Sequence, residues 1–212
     1  MTQRTILIVG HGPSLRDAGL GPEIDQYTVC RMKVFDRFQN KKDHGTRTDY
    51  LCCTDSVIKG AAAKCKAEYW VYYKYGAKTP GLKEYPDLRH LTNPWNDWFQ
   101  KRCHYQGEGP KGRNYSLGTA AGIIALELGF ERVIFAGCDT LMNPDLEYES
   151  LYNPGTSAKH AHVWPVDNEM LHICAEQKGA ELCVLSPHGV QKATRYTGSG
   201  FLKHGLNSSI SP

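Results

Sequence analysis

Gly10-His11-Gly12-Pro13-Ser14, Asp139 and His162 are the residues of this 212-residue chain whose types and settings could do chemistry. The two glycines follow Ile6-Leu7-Ile8-Val9, an apolar run that fits a strand covered on both faces. Glycine lets the backbone turn sharply and approach a ligand closely. Pro13 and Ser14 suit the opening of a helix, as first-turn residue and cap. A strand, a glycine turn and a helix N-terminus together make a place to bind phosphate. Gly10-x-Gly12 is also half of a dinucleotide fingerprint, with Leu15 where the third glycine would stand. A dinucleotide oxidoreductase expects an acidic residue at the end of its second strand; Arg31 stands there instead and would suit a 2′-phosphate.

Asp139 follows a glycine at the end of an apolar strand pattern. It either binds a ribose hydroxyl or caps the turn that follows through its own side chain. His160 and His162 sit in a polar stretch before a helix pattern. Histidines at i, i+2 could bind metal, but no third ligand stands at a recognisable spacing. A histidine above a nucleotide site is equally a natural general base, because its pKa lies near neutrality. Tyr148 and Tyr152 flank the same stretch and could bind phosphate, stack on a sugar or simply anchor a loop. No Asp-x-Asp occurs, which argues against a metal bridged by two acids under a nucleotide diphosphate.

The elements that must position these residues alternate. Strand patterns cover residues 6–9, 28–32, 48–54, 68–73, 131–136 and 181–185, the third running into Asp55-Ser56, which can cap a helix over 57–67. Residues 119–128 are small and apolar on nearly every side and predict a buried helix ended by Gly129. Residues 166–178 predict an amphipathic helix ended by Gly179. Residues 74–112 are rich in Pro, Gly, Tyr and Trp and predict irregular connection with one short helix around 94–102. The polar segment at about 143–165 predicts a mobile lid, and the Gly/Ser-rich residues 197–212 a flexible tail. Strands alternating with helices predict a single α/β domain over residues 1–196, a Rossmann-like, doubly wound and mostly parallel sheet. Ligands in that architecture gather at the carboxyl ends of the strands. That edge nominates Gly10–Ser14, residues 31–33 with Lys33, Thr54 and Asp55, residues 137–140, and Ser186 and Pro187 with His188 and Gly189.

The formal net charge of +3 permits an anionic ligand but marks no nucleic-acid surface. The longest apolar runs are too short to cross a bilayer, and the N-terminus lacks a signal-peptide pattern. None of the eight cysteines forms a C-x-x-C pair. Cysteines inside apolar elements behave as small buried hydrophobes, which predicts a reduced, cytoplasmic protein. Oligomeric state leaves no mark on the sequence.

Val9-Gly10-His11-Gly12-Pro13-Ser14-Leu15 resembles the G-N-G-P-S-L start of bacterial sialyltransferases of glycosyltransferase family 42 and related motility-accessory proteins. Residues 118–139 resemble that family's small-residue helix, Leu-Gly-aromatic, strand and (S/A)-G-x-D. His162, five residues before Asp167, matches the spacing of its catalytic histidine. Cys183-Val184-Leu185-Ser186-Pro187 resembles its Leu-Cys-x-x-Pro element. The likeness runs in order from residue 6 to about 190.

The resemblance implies an inverting, metal-independent transfer of a sugar from a nucleotide-sugar, most simply a CMP-linked, sialic-acid-like donor. Gly10, Gly12 and Ser14 would cradle phosphate and ribose, Asp139 would hold the ribose, and Ser186 and Pro187 would line the base end. Tyr148 or Tyr152 would take the phosphate, and His162 would deprotonate the acceptor hydroxyl. The acceptor expected is a glycan, or a modified base of bacteriophage DNA; the donor is a substrate, and no cofactor is implied. The chain departs from the family where His11 replaces an asparagine, where Lys33 lies near another expected asparagine, and where Arg113 only loosely matches the arginine before the buried helix. Those departures keep open a non-catalytic nucleotide-binding module of the same fold; Arg31 keeps open an NADP-linked oxidoreductase.

Overall fold

A computed structural model describes residues 3–32, 40–54, 67–72, 89–90, 116–142 and 164–195. Among them the strands are β1 (Thr5–Val9), β2 (Thr28–Met32), β3 (Tyr50–Thr54), β4 (Glu68–Tyr72), β5 (Arg89–His90), β6 (Arg132–Ala136), β7 (Glu181–Ser186) and β8 (Gly189–Lys192). The helices are α1 (Gly21–Ile24), α2 (Lys41–His44), α3 (Leu117–Glu127), α4 (Asp139–Met142) and α5 (Trp164–Lys178).

The strands form one sheet in the order β5-β4-β3-β2-β1-β6-β7-β8. Every neighbouring pair is parallel except the β7–β8 hairpin. The chain steps outward from β1 to β5, then returns to the other flank of β1 as β6. This is the doubly wound, mostly parallel α/β sheet expected from the alternating patterns, with its switch point between β1 and β6.

β1 shows why its apolar run carries no polar alternation. Ile6 and Ile8 point into one core with α3 and α5, and Leu7 and Val9 into the other with Leu15, Leu20 and Ile24. All four are fully buried. Burying a side chain of this size stabilises by roughly 1.5–3 kcal/mol relative to leaving it exposed.

Helix α3 is buried from Leu117 to Leu126, as its small apolar composition predicts. Gly122 is what lets it sit so close: a Cβ there would lie 2.6 Å from Leu171 Cδ2 and 3.0 Å from Phe135 Cζ. Both long helices end at the expected glycines. Phe130 N–H donates to Ala125 O beyond α3, and Ala180 N–H to Ala175 O beyond α5, closing each C-terminus in the same way.

Several boundaries and small elements differ from the sequence reading. β3 starts at Tyr50 rather than residue 48, where its pairing with Cys30 of β2 begins. α5 starts at Trp164, so residues 164–165 belong to the helix rather than to the lid. Gly21 and Pro22 form the first turn of α1. β8 went unread because Gly-Val-Gln-Lys is short, partly polar and half-exposed; it forms only by folding back on β7. All but Ala67 of the helix expected over 57–67, the short helix around 94–102, the rest of the lid and the tail lie outside the described residues. Among the described residues no helix is long and apolar enough to cross a membrane.

Candidate functional site

Val9 and Ala136 pair at the carboxyl ends of β1 and β6, where the two connections part. A doubly wound sheet opens its ligand crevice at such a point. Here the turns after the two strands are joined backbone to backbone. Gly10 N–H donates to Ala136 O at 2.7 Å, and Gly12 N–H to Gly137 O at 2.7 Å. The glycines make this approach possible: a Cβ on Gly10 would run into the Gly137 carbonyl, and one on Gly12 would meet the Asp139 carboxylate. Gly137, at φ +63°, sits directly over Leu15.

That joint corrects the expected phosphate cradle. The Gly10 and Gly12 amides are taken up by the Ala136 and Gly137 carbonyls and the Ser14 amide by Asp139, so none of the three points at an open site. Residues Pro13–Leu15 form a single 3-10 turn rather than a helix, and Ser14 caps nothing; Gly12 holds the capping place without a side chain. The glycines therefore let the two turns pack closely, and this edge presents side chains rather than their amides.

Two of those side chains meet across the switch point. Ser14 N–H donates to Asp139 Oδ2 at 2.9 Å, and the Ser14 hydroxyl donates to Asp139 Oδ1. Asp139, the first residue of α4, thus clasps the first turn of the chain instead of capping its own turn. Ser14 is exposed and Asp139 half-buried, so the pair is reachable from solvent. An ionised carboxylate offers about four lone-pair positions, so each oxygen keeps capacity for a further donor. The half-buried His11 turns the other way, its Nε2 lying 2.9 Å from Met32 O at the end of β2.

The N-terminus of α3 borders the same edge. Gly118 lies against Met32, Cys138 and Leu141, and Ser116 caps the helix by accepting from Thr119 N–H at 3.2 Å. Asp167, fully buried in the first turn of α5, fastens this end. Its Oδ2 accepts from Ser116 N–H at 2.8 Å and from the Thr119 hydroxyl at 2.7 Å. Its Oδ1 is buried with no hydrogen-bond partner among the described residues. Burial pushes the Asp167 carboxyl up to about 6, against the pull of its Ser116 and Thr119 hydrogen bonds. Asn168, equally buried, donates to Leu141 O at 3.0 Å and Thr194 O at 3.3 Å. The Ser116–Thr119 and Asp167–Asn168 group was not singled out from sequence. The usable signals were Ser three residues before Thr at the head of an apolar helix, and adjacent amide and acid side chains in a first turn.

Arg31 is not a ligand for a 2′-phosphate. Its side chain is 2 % exposed. Its Nε donates to Arg47 O and the Thr48 hydroxyl, and its Nη2 to His44 O. It fastens the segment after α2 to β2, which removes the feature that suggested an NADP-linked oxidoreductase. Ser186 and Pro187 lie at the carboxyl edge of β7, in the tight turn into β8. There the Ser186 hydroxyl donates to Gly189 O and accepts from His188 N–H, while Pro187 is exposed. Thr54 ends β3 on the same edge. Lys33, Arg113, Tyr148, Tyr152 and His162 lie outside the described residues.

No protein-family model matches the chain, and no curated protein matches it. Its fold has solved counterparts. A structure of the sialyltransferase CstII from Campylobacter jejuni, in complex with the substrate analogue cytidine-5′-monophosphate, superposes with a TM-score of 0.51. The match covers 96% of this chain and 97% of that one at 15% identity. The fold is shared with a sialyltransferase. A mammalian sialyltransferase in complex with Gal-beta-1-3GalNAc-ortho-nitrophenol matches at a TM-score of 0.47 and 14% identity, over 86% of this chain and 70% of that one.

Proposed function

We propose that the protein is a glycosyltransferase that uses a nucleotide-activated sugar, CMP-linked and sialic-acid-like, and transfers it to a hydroxyl acceptor with inversion. The observation that carries this reading is the exposed Ser14–Asp139 clasp at the switch point between β1 and β6. It lies in a fold shared along nearly its whole length with an enzyme whose structure holds cytidine monophosphate. The remaining acceptor capacity of Asp139 fits a ribose hydroxyl, with Ser14 beside it, and Ser186 and Pro187 at the neighbouring strand end fit the base side. His11 stands on the β2 side of the joint, and Thr54, Lys33 and Arg113 are the further donor contacts that the sequence nominates.

In this reading His162 removes the proton from the acceptor oxygen as that oxygen attacks the anomeric carbon. The bond to the nucleotide phosphate breaks on the opposite face, and the nucleoside monophosphate departs with the bonding electrons. Tyr148 or Tyr152 donates a hydrogen bond to the departing phosphate, where negative charge grows in the transition state. The absence of Asp-x-Asp fits a transfer that does not bridge the donor through a metal. The acceptor is a hydroxyl on a glycan or on a modified nucleic acid base.

A thermal-shift screen of CMP, UDP and GDP, each with and without magnesium, tests the donor. Stabilisation by CMP without metal is expected; a response to UDP only in the presence of magnesium would overturn the assignment. His162→Ala should abolish transfer while leaving CMP binding nearly intact, and turnover at the wild-type rate in that variant would remove the assigned base. CMP binding with no hydrolysis or transfer of a CMP-linked sugar, over a range of acceptors, would instead identify a binding module.

A further inference from the structure

Asp167 and Asn168 are consecutive, fully buried and polar, and each reaches a different element at the edge of the site. Asp167 holds Ser116 and Thr119 at the head of α3. Asn168 holds the Leu141 carbonyl in α4 and the Thr194 carbonyl beyond β8. α4 is a single turn, four residues long, and begins at Asp139. A helix this short has almost no stability of its own, because nucleation fixes several dihedrals for one hydrogen bond. What holds it is local: Leu141 and Met142 N–H both donate to Cys138 O, Leu141 packs against Gly118 of α3, and the Leu141 carbonyl is caught by Asn168.

We propose that Asn168 is a positioning residue for the donor site: through Leu141 it sets where α4 presents the Asp139 carboxylate to Ser14. This rests on the reading of Asp139 as a donor-binding group given above. The chemistry is that of a buried amide whose NH2 bridges two carbonyls from separate parts of the chain. Removing it takes the side-chain donor from the buried Leu141 carbonyl and unties it from Thr194, which favours opening of the turn. Asp167, one residue earlier, fastens α3 at the same time, so the wall against which Leu141 packs is held by the neighbouring side chain.

Residue-resolved amide hydrogen exchange on the unliganded full chain tests this. In Asn168→Ala the amides of Ser14, Leu141 and Met142 should exchange about tenfold faster or more, while those inside β1 keep their wild-type rates. Leu182→Ala, a cavity in β7 away from this edge, is the control for general destabilisation and should accelerate exchange throughout the sheet. The milder Asn168→Ser, which keeps one hydroxyl donor, reads the same amides if the alanine variant does not fold. Wild-type exchange at Ser14, Leu141 and Met142, or acceleration spread as in Leu182→Ala, would overturn the proposal.

CMP titration of the same proteins separates this inference from the functional reading. If wild type binds CMP, Asn168→Ala should weaken it about tenfold and Leu182→Ala by less than about twofold; equal weakening in both variants would overturn the positioning role. If wild type does not bind CMP, the donor assignment falls, and the exchange result still decides whether Asn168 positions Asp139.

Discussion

On one face of the sheet Asp43 is buried with both carboxylate oxygens receiving hydrogen bonds. Asp17 N–H reaches Oδ2 at 2.9 Å, and Gly19 N–H reaches Oδ1 at 2.8 Å, with the Asn40 amide also on Oδ2. On the other face Asp167 is buried as completely, with Ser116 N–H and the Thr119 hydroxyl on one oxygen and no hydrogen bond on the other among the described residues. The faces are covered differently. α3 and α5 lay an apolar surface over Ile6, Ile8 and Phe135, and Asp167 is one of the few acids inside it. Opposite, Leu7, Val9 and Ile134 are covered by the short α1 and by loops. Those loops are held by carboxylates: Asp43 holds residues 17 and 19, and Asp25 accepts from Thr46 and Arg47 N–H. The lesson is that loops without helical hydrogen bonds of their own need side-chain acceptors for their amides, whereas packed helices do not. A buried acid on the helical face therefore has a different task, which here is to fasten two helix ends beside the site.

If packing dominates the helical face, Ile123→Ala should cost about 2–5 kcal/mol in urea denaturation, since a rigid neighbourhood of α5 and β6 cannot close the cavity. A loss below about 1 kcal/mol would mean that this face is no better packed than the other.

The burial of Asp167 predicts the next effect. Its folded-state pKa, about 6, lies above the ordinary value of 3.8, so the folded chain holds this proton more tightly than the unfolded chain does. The stabilisation is therefore complete below about pH 4 and is lost as pH rises through about 6. Because Asp167→Asn does not titrate, the stability of wild type relative to this variant should fall by roughly 2–3 kcal/mol between pH 4 and pH 7, then level off. A difference that stays flat over that range would show that the carboxyl is not strained by burial.

On the loop face Asp43→Ala leaves the Asp17 and Gly19 amides without acceptors. A loss of about 2 kcal/mol is expected, with faster amide exchange at those two residues and little change in α3. Unchanged exchange at both would deny the carboxylate its role as the fastening of that loop.

The smallest expected effect is none. Cys30, Cys52, Cys53, Cys138, Cys174 and Cys183 are buried thiols outside any disulfide, and burial pushes the Cys174 thiol up to about 12. With a thiol reagent at pH 8 the folded chain should titrate no more than Cys65 and Cys103, and all eight cysteines once unfolded. Rapid reaction of a third thiol would reveal an opening of one of the two cores.

The strands and long helices of this fold were legible because burial writes itself locally. Ile6–Val9 has no polar position because both sides are covered, and Gly129 and Gly179 mark helix ends because the chain turns there with positive φ. The candidate site was legible as a place but only partly as a set of contacts. Gly10, Gly12, Ser14 and Asp139 were named from their positions at strand ends, and the structure brings them together. The expected helix after Gly12 failed because one turn of 3-10 geometry and a cross-sheet carboxylate already satisfy those residues. Arg31 was misread because an arginine at a strand end looks the same in sequence whether it faces a phosphate or three protein oxygens.

Sequence by itself determined the alternation of strands and helices, the two-sided burial of β1 and the edge on which a ligand would sit. Those follow from apolar periodicity and turn residues within a few positions of each other. Only the tertiary structure decided that the Gly10 and Gly12 amides are closed off, that Asp139 holds Ser14 from 125 residues away, and that Asp167 and Asn168 stand behind the site. A hydrogen-bonding group takes whichever partner the fold brings within about 3 Å, and nothing in the residue's own neighbourhood names that partner.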